Sequence, residues 1–226
     1  YGIGTLQRTE SITKSDKFKF SKNGFFADFA ELKVKANEKD ETMAFLGLNV
    51  DVDFNVISSI VKVSPQKTDF NTDLKSLLSF PALDYETTID NAVWNIKDKK
   101  INMSGLIENS VFRSINPKQF GLKFNGTGAL YDIASLSLRI SGVSGINSAD
   151  AVVIPNKGLV SVKKDGMLES FSKAKITERI LSSFLSSVWA EFRTWLSLVN
   201  ASVCGAGIPA AFAAAQSLAG AGLSAR

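Results

Sequence analysis

The sequence predicts an all-β fold: a repetitive antiparallel sheet, arranged as a folded-over trough, jelly roll or β-solenoid, with a C-terminal amphipathic helix. A strand–turn–strand unit recurs at intervals of about 40 residues. Its copies run Phe54-Asn55-Val56 to Val61-Lys62-Val63, Trp94-Asn95-Ile96 to Ile101-Asn102-Met103, and Tyr131-Asp132-Ile133 to Leu138-Arg139-Ile140, with four residues between the halves of each. Within these units apolar and polar side chains alternate, as in a sheet with one wet face. Beyond about Leu168 the apolar period lengthens from two to 3.6.

Along the chain, residues 1–16 read as polar and turn-like, with Gly2 and Gly4. Phe18 and Phe20 alternate with Lys17 and Lys19, and Asn23-Gly24 is the dipeptide that suits a tight hairpin. The return strand places Phe26, Ala30, Leu32 and Val34 on one parity, and Asn37–Thr42 forms a polar loop. Val50, Val52, Phe54 and Val56 then alternate with Asp51, Asp53 and Asn55. Residues 65–84 interrupt the pattern with two prolines, and a short helix is expected near Leu74–Leu78. A fourth, looser copy pairs Val152-Val153-Ile154 with Val160 and Val162 across Pro155–Gly158. The expected domains are a β body over 1–172, a helix over 173–200 and an Ala/Gly-rich tail over 201–226, disordered or foreign to the rest. The helical stripe runs from Ile176 to Val199; it either caps the last strands or lies in a membrane interface.

In each copy the large residue and the β-branched residue two positions on share a sheet face, and the small polar residue between them lies on the other. The twelve inward positions are Phe54, Val56, Val61, Val63, Trp94, Ile96, Ile101, Met103, Tyr131, Ile133, Leu138 and Ile140. A sealed core and the lining of an open lipid groove demand the same inward face, so periodicity leaves both readings open.

Composition narrows the chemistry. The chain has 226 residues, 45% hydrophobic and 21% charged, with a net charge of +4, and is long enough to bury a core. Without histidine it has no Ser-His-Asp or Cys-His triad and lacks the commonest zinc ligand. Cys204 stands alone, so no internal disulfide forms. Asp51, Asp53 and Asn55 begin like a calcium loop, but Val56 and Lys62 occupy positions that require glycine and glutamate. Neither a phosphate-binding glycine loop nor a serine with a base partner is present, and Ser64, Ser104 and Ser141 read as strand ends. Basic residues do not cluster with aromatics, which argues against nucleic acid. The expectation is a non-enzyme with no catalytic residues, metal or cofactor. The chain opens on Tyr1 without a basic-then-apolar leader, which reads as a processed piece or internal fragment.

A family resemblance rests on Gly121-Leu122-Lys123-Phe124, Gly128 to Ile133, Leu138 to Val143, Ser148 to Ala151 and Pro155 to Gly158. These segments resemble repeats of the OstA/LptA type, which build lipopolysaccharide-transport bridges. They are similar also to the β-sheet troughs of AsmA/TamB envelope proteins and to large uncharacterised repetitive envelope proteins of Gram-negative bacteria. The likeness spans residues 1–175 and ends near Thr177. It implies an extracytoplasmic location, in the periplasm or associated with the outer membrane. The implied partners are lipid or lipopolysaccharide and neighbouring repeats of a longer chain. The function expected is a cell-envelope module that shields or guides acyl chains, each methylene contributing about 0.8 kcal/mol on burial. The alternative is a structural or adhesive β-repeat of a larger surface protein with a closed core.

Overall fold

The computed structural model describes residues 1–37, 42–66, 76–148 and 151–178, and one compact unit spans Tyr1–Glu178. The chain enters through β1 (Gly2–Gln7), β2 (Ser11–Ser21), β3 (Gly24–Lys35), β4 (Met43–Asn55) and β5 (Ile60–Pro65). It continues through β6 (Leu77–Phe80), β7 (Tyr85–Thr87), β8 (Asn91–Asn95), β9 (Lys100–Ser104), β10 (Val111–Ser114) and β11 (Lys123–Asn125). The last strands are β12 (Gly128–Asp132), β13 (Ser137–Ser141), β14 (Ile146–Ser148), β15 (Ala151–Ile154), β16 (Val160–Val162) and β17 (Lys175–Glu178). The protein is all-β. Fourteen strands form one curled antiparallel sheet, a half-barrel, and β14, β15 and β17 form a second, three-stranded sheet.

The large sheet forks at β4. The first half of that strand pairs Leu46–Leu48 with β6, and the second half pairs Val50–Asn55 with β5. A short wing, β6-β7-β10-β11, leaves from one half, and a long wing, β5-β8-β9-β12-β13-β16, leaves from the other. The bend lies where Phe29 and Asn49 take left-handed φ values of 48° and 54° and the β3–β4 register shifts. Bulges of this kind let a strand pass from one layer to the next. The wings meet face to face. The Phe80 ring on β6 packs against the Tyr131 ring on β12 at 4.9 Å. Gly126 joins the wings where a Cβ would stand 2.7 Å from Ile140 and 3.3 Å from Phe112, so the crossing admits only glycine without repacking.

Several expectations need correction. Residues 2–7 and 11–16 are strand rather than turn: β1 and β2 pair with each other and β2 also with β3, and Ser11, Thr13 and Ser15 alternate inward along β2 despite being polar. Phe26 lies on the outer face. Phe25 and Ala27 are the buried residues before the Phe29 bulge, whereas Ala30, Leu32 and Val34 are buried after it, since the bulge exchanges the parity. Leu77 and Leu78 belong to strand β6, not a helix. The fourth copy is no hairpin: β15 lies in the small sheet, while β16 pairs with β13. Ile176 sits in strand β17, 69% exposed, not at the start of a helix. The remaining helical stripe and the tail lie outside the described residues.

Candidate functional site

Register turns the repeat into two continuous ribbons across nine strands. Directly paired residues share a face. One ribbon runs Phe20, Phe25, Phe54, Val61, Trp94, Ile101, Tyr131, Leu138 and Val162. The other runs Phe18, Ala27, Val52, Val63, Ala92, Met103, Ala129, Ile140 and Val160. In the second ribbon alanines alternate with larger residues in the middle strands, leaving room for the facing wing. The opposite face carries Lys62, Asn102 and Arg139 in solvent. Trp94 and Tyr131 thus lie on the same side of the sheet.

Ten of the twelve inward positions are at most 5% exposed: Phe54, Val61, Val63, Trp94, Ile101, Met103, Tyr131, Ile133, Leu138 and Ile140. Ile96 is half-buried. Val56 departs from the expectation and is 53% exposed. Val56 is the first residue after its strand, as Ile96 and Ile133 are after theirs, but its neighbouring turn is the β2–β3 hairpin end at Asn23, at the margin of the sheet, and it stays in solvent. Arg8 covers the first ribbon at Phe54, its guanidinium 4.3 Å above that ring.

The repeated Asn/Asp position has a role that alternation alone does not reveal. Asn55 Oδ1 accepts from Ser58 N, Asn95 Oδ1 from Lys97 N and Asp98 N, and Asp132 Oδ1 from Ala134 N and Ser135 N. Each caps its own four-residue turn, and each turn then places a left-handed residue at Ser59, Lys99 or Leu136. Adjacent turns are tied together, because Val56 N donates to Asn23 O, Ile96 N to Ser59 O and Ile133 N to Lys99 O. The signal was present in the sequence as Asn or Asp opening every turn.

Two hollows border these elements. Trp94, Ile96 and Ile133 line a cavity of about 80 Å³, rimmed by Glu10, Lys35 and Lys99. A recess of about 700 Å³ lies beside the β11 edge, between Ile107 and Glu108 on one side and Gly145, Asn147 and Val152 on the other. None of the twelve inward residues lines that recess.

Polar groups inside the fold are few. Tyr85, fully buried, donates its hydroxyl to Gln119 Oε1 at 2.8 Å, and Gln119 Nε2 in turn donates to the Gly166 carbonyl. Burial pushes the Tyr85 phenol up to about 12, with hydrogen bonds to Ser114 and Gln119 pulling the other way. Among the described residues the Tyr131 hydroxyl has no hydrogen-bond partner; burial, with the nearby Asp132 charge, holds its phenol well above the ordinary range. Trp94 Nε1 is likewise without a partner. Sequence reasoning missed the Tyr85–Gln119 link, since 34 residues separate its ends and no repeat marks it. Asp51 accepts a hydrogen bond from Gln66 on the wet side of β4. Among the described residues no group of three or more acidic or cysteine side chains converges as a metal site would require. Nor is any described helix long and apolar enough to cross a membrane.

No family model matches the chain, and no curated protein shows significant similarity to it.

Proposed function

We propose that the chain is a non-enzymatic structural module of the cell envelope, a β-repeat segment whose apolar ribbons close upon its own short wing rather than upon a lipid. One observation carries this reading: Tyr131, which would face acyl chains, is instead packed against Phe80 of the protein's own short wing, and both are fully buried. For an acyl chain to enter, the wings would have to part. Exposing each buried large side chain in that way costs roughly 1.5–3 kcal/mol. The envelope setting, in the periplasm or at the outer membrane, rests on the OstA/LptA-like and AsmA/TamB-like resemblance of the repeats. Lipid guidance is the reading this proposal sets aside.

Native mass spectrometry of the chain purified from a membrane-containing host distinguishes the two. The bare polypeptide mass, unchanged when fatty acid or lipopolysaccharide is added, is the expected result. A stoichiometric acyl adduct that disappears in Ile101→Asp, with the fold retained, would establish the groove instead.

A further inference from the structure

The sheet's free edges are treated unequally. The edge of β16 is covered by the chain that follows it, through a Val162–Leu168 bridge and the bonds Lys163 N to Met167 O and Glu169 N to Ser161 O. Strand β11 is only three residues long. Among the described residues strand β1 pairs with β2 alone; it runs for six residues and carries neither charge nor proline: Gly2-Ile3-Gly4-Thr5-Leu6-Gln7. Short strands, charge, proline and bulges are the usual means of blocking an edge; the one register shift here, between Gly2 and Gly4, has its extra residue on β2, so β1 itself keeps an unbroken count.

The outward-facing groups of β1 follow from its register. Arg8 N donates to Ser11 O, and Leu6 and Gly4 stand opposite Thr13 and Ser15. Bonded pairs alternate in an antiparallel ladder, so Gly4 and Leu6 bond to β2 while Thr5 and Gln7 turn their N–H and C=O groups outward; Ile3, within the register shift between Gly2 and Gly4, has no register partner on β2 and leaves its own groups to the outside. Ile3 is 79% exposed.

The first ribbon is also unfinished here. Phe20 stacks on Phe18 at 5.6 Å yet remains 64% exposed. Beside the stack β1 offers only Gly2, whose missing Cβ would lie 3.4 Å from the Phe20 ring. Four residues on, Leu6 projects to the same face and is half-buried. Between them Gly4 has open space where a Cβ would stand.

From this spacing we propose that β1 pairs antiparallel with β1 of a second copy of this chain, about a two-fold axis at Gly4. In that register Gly2 of each copy faces Leu6 of the other, so the leucine fills the gap over the Phe18–Phe20 stack. Ile3 and Thr5 exchange the two backbone hydrogen bonds. A two-fold contact requires a self-complementary patch, and a gap and a side chain placed symmetrically about one glycine supply it. The pairing deepens the structural-module reading by naming its partner. It is tested separately, because a monomer would remove the pairing while leaving the closed core in place.

Sedimentation equilibrium of the full chain is compared with Thr5→Pro and Ile3→Lys. The β1–β2 ladder does not use the Thr5 N–H, so proline there should spare the melting curve while weakening dimerisation at least tenfold. In the unsubstituted chain the amides of Ile3 and Thr5 should gain protection from hydrogen exchange as concentration rises, whereas that of Leu6 should not. A chain that stays monomeric up to its solubility limit would overturn the proposal. So would a dimer that both variants leave intact, or Ile3 and Thr5 exchange that is independent of concentration.

Discussion

Tyr85 and Tyr131 are equally buried, but only Tyr85 has a partner for its hydroxyl. An unanswered buried hydroxyl costs about 1–3 kcal/mol, while a satisfied one contributes about 1 kcal/mol. Tyr131→Phe should therefore leave stability unchanged or raise it by about 1 kcal/mol, and Tyr85→Phe should lower it by about the same, both read from urea unfolding curves. The two phenols also make the fold sensitive to alkali. Their folded-state values lie above the ordinary 10, so above that pH the unfolded chain loses protons that the folded chain keeps. Each tyrosine then lowers stability by roughly 1.4 kcal/mol per pH unit, for Tyr85 across the window from 10 to about 12. Below pH 10 the contribution is intact, and replacing either tyrosine by phenylalanine should remove one proton's share of the slope. At Gly24 the constraint is steric, since a Cβ would sit 1.8 Å from the Phe54 carbonyl oxygen. Gly24→Ala should cost about 2 kcal/mol or more, because the obstacle is backbone and cannot swing aside.

At the scale of the element, the repeat is a turn as much as a strand pair. Asn95→Ala removes two side-chain acceptances that hold the β8–β9 turn, and a loss of about 1 kcal/mol is expected in thermal unfolding. Lys99 is exposed and left-handed at φ 54°. A non-glycine residue pays roughly 1–2 kcal/mol there, and glycine returns part of that gain through its freer unfolded state. Lys99→Gly should thus stabilise by about 0.5–1 kcal/mol. These turns also show how far the sequence could be followed. Alternation located strands β4, β5, β8, β9, β12 and β13, since period two is a local signal. It also carried Val56, Ile96 and Ile133 one residue beyond their strands, and only at Val56, beside the outer hairpin at Asn23, does the side chain stay in solvent, a difference of position in the sheet that residue type does not signal. The β15–β16 error has a similar cause: two apolar triplets flanking a proline turn resemble a hairpin, and only the register across to β13 and β17 shows that they part.

For the whole molecule, inward-facing residues were legible but what they face was not. The Phe80–Tyr131 contact joins residues from two wings, and β6 and β7 carry no copy of the repeat that would announce them. The bend that brings the wings together depends on left-handed backbone at Phe29 and Asn49, and at phenylalanine nothing in the residue type signals it. Closure of the ribbons is the claim from which the structural role follows. It is tested most directly by the fluorescence of Trp94, 2% exposed, in a chain carrying Trp189→Phe and Trp195→Phe. A blue emission maximum, resistant to iodide and unmoved by brominated fatty acid, is the result expected of a ribbon sealed by its own wing. Quenching of Trp94 by the brominated chain at stoichiometric concentration would contradict it.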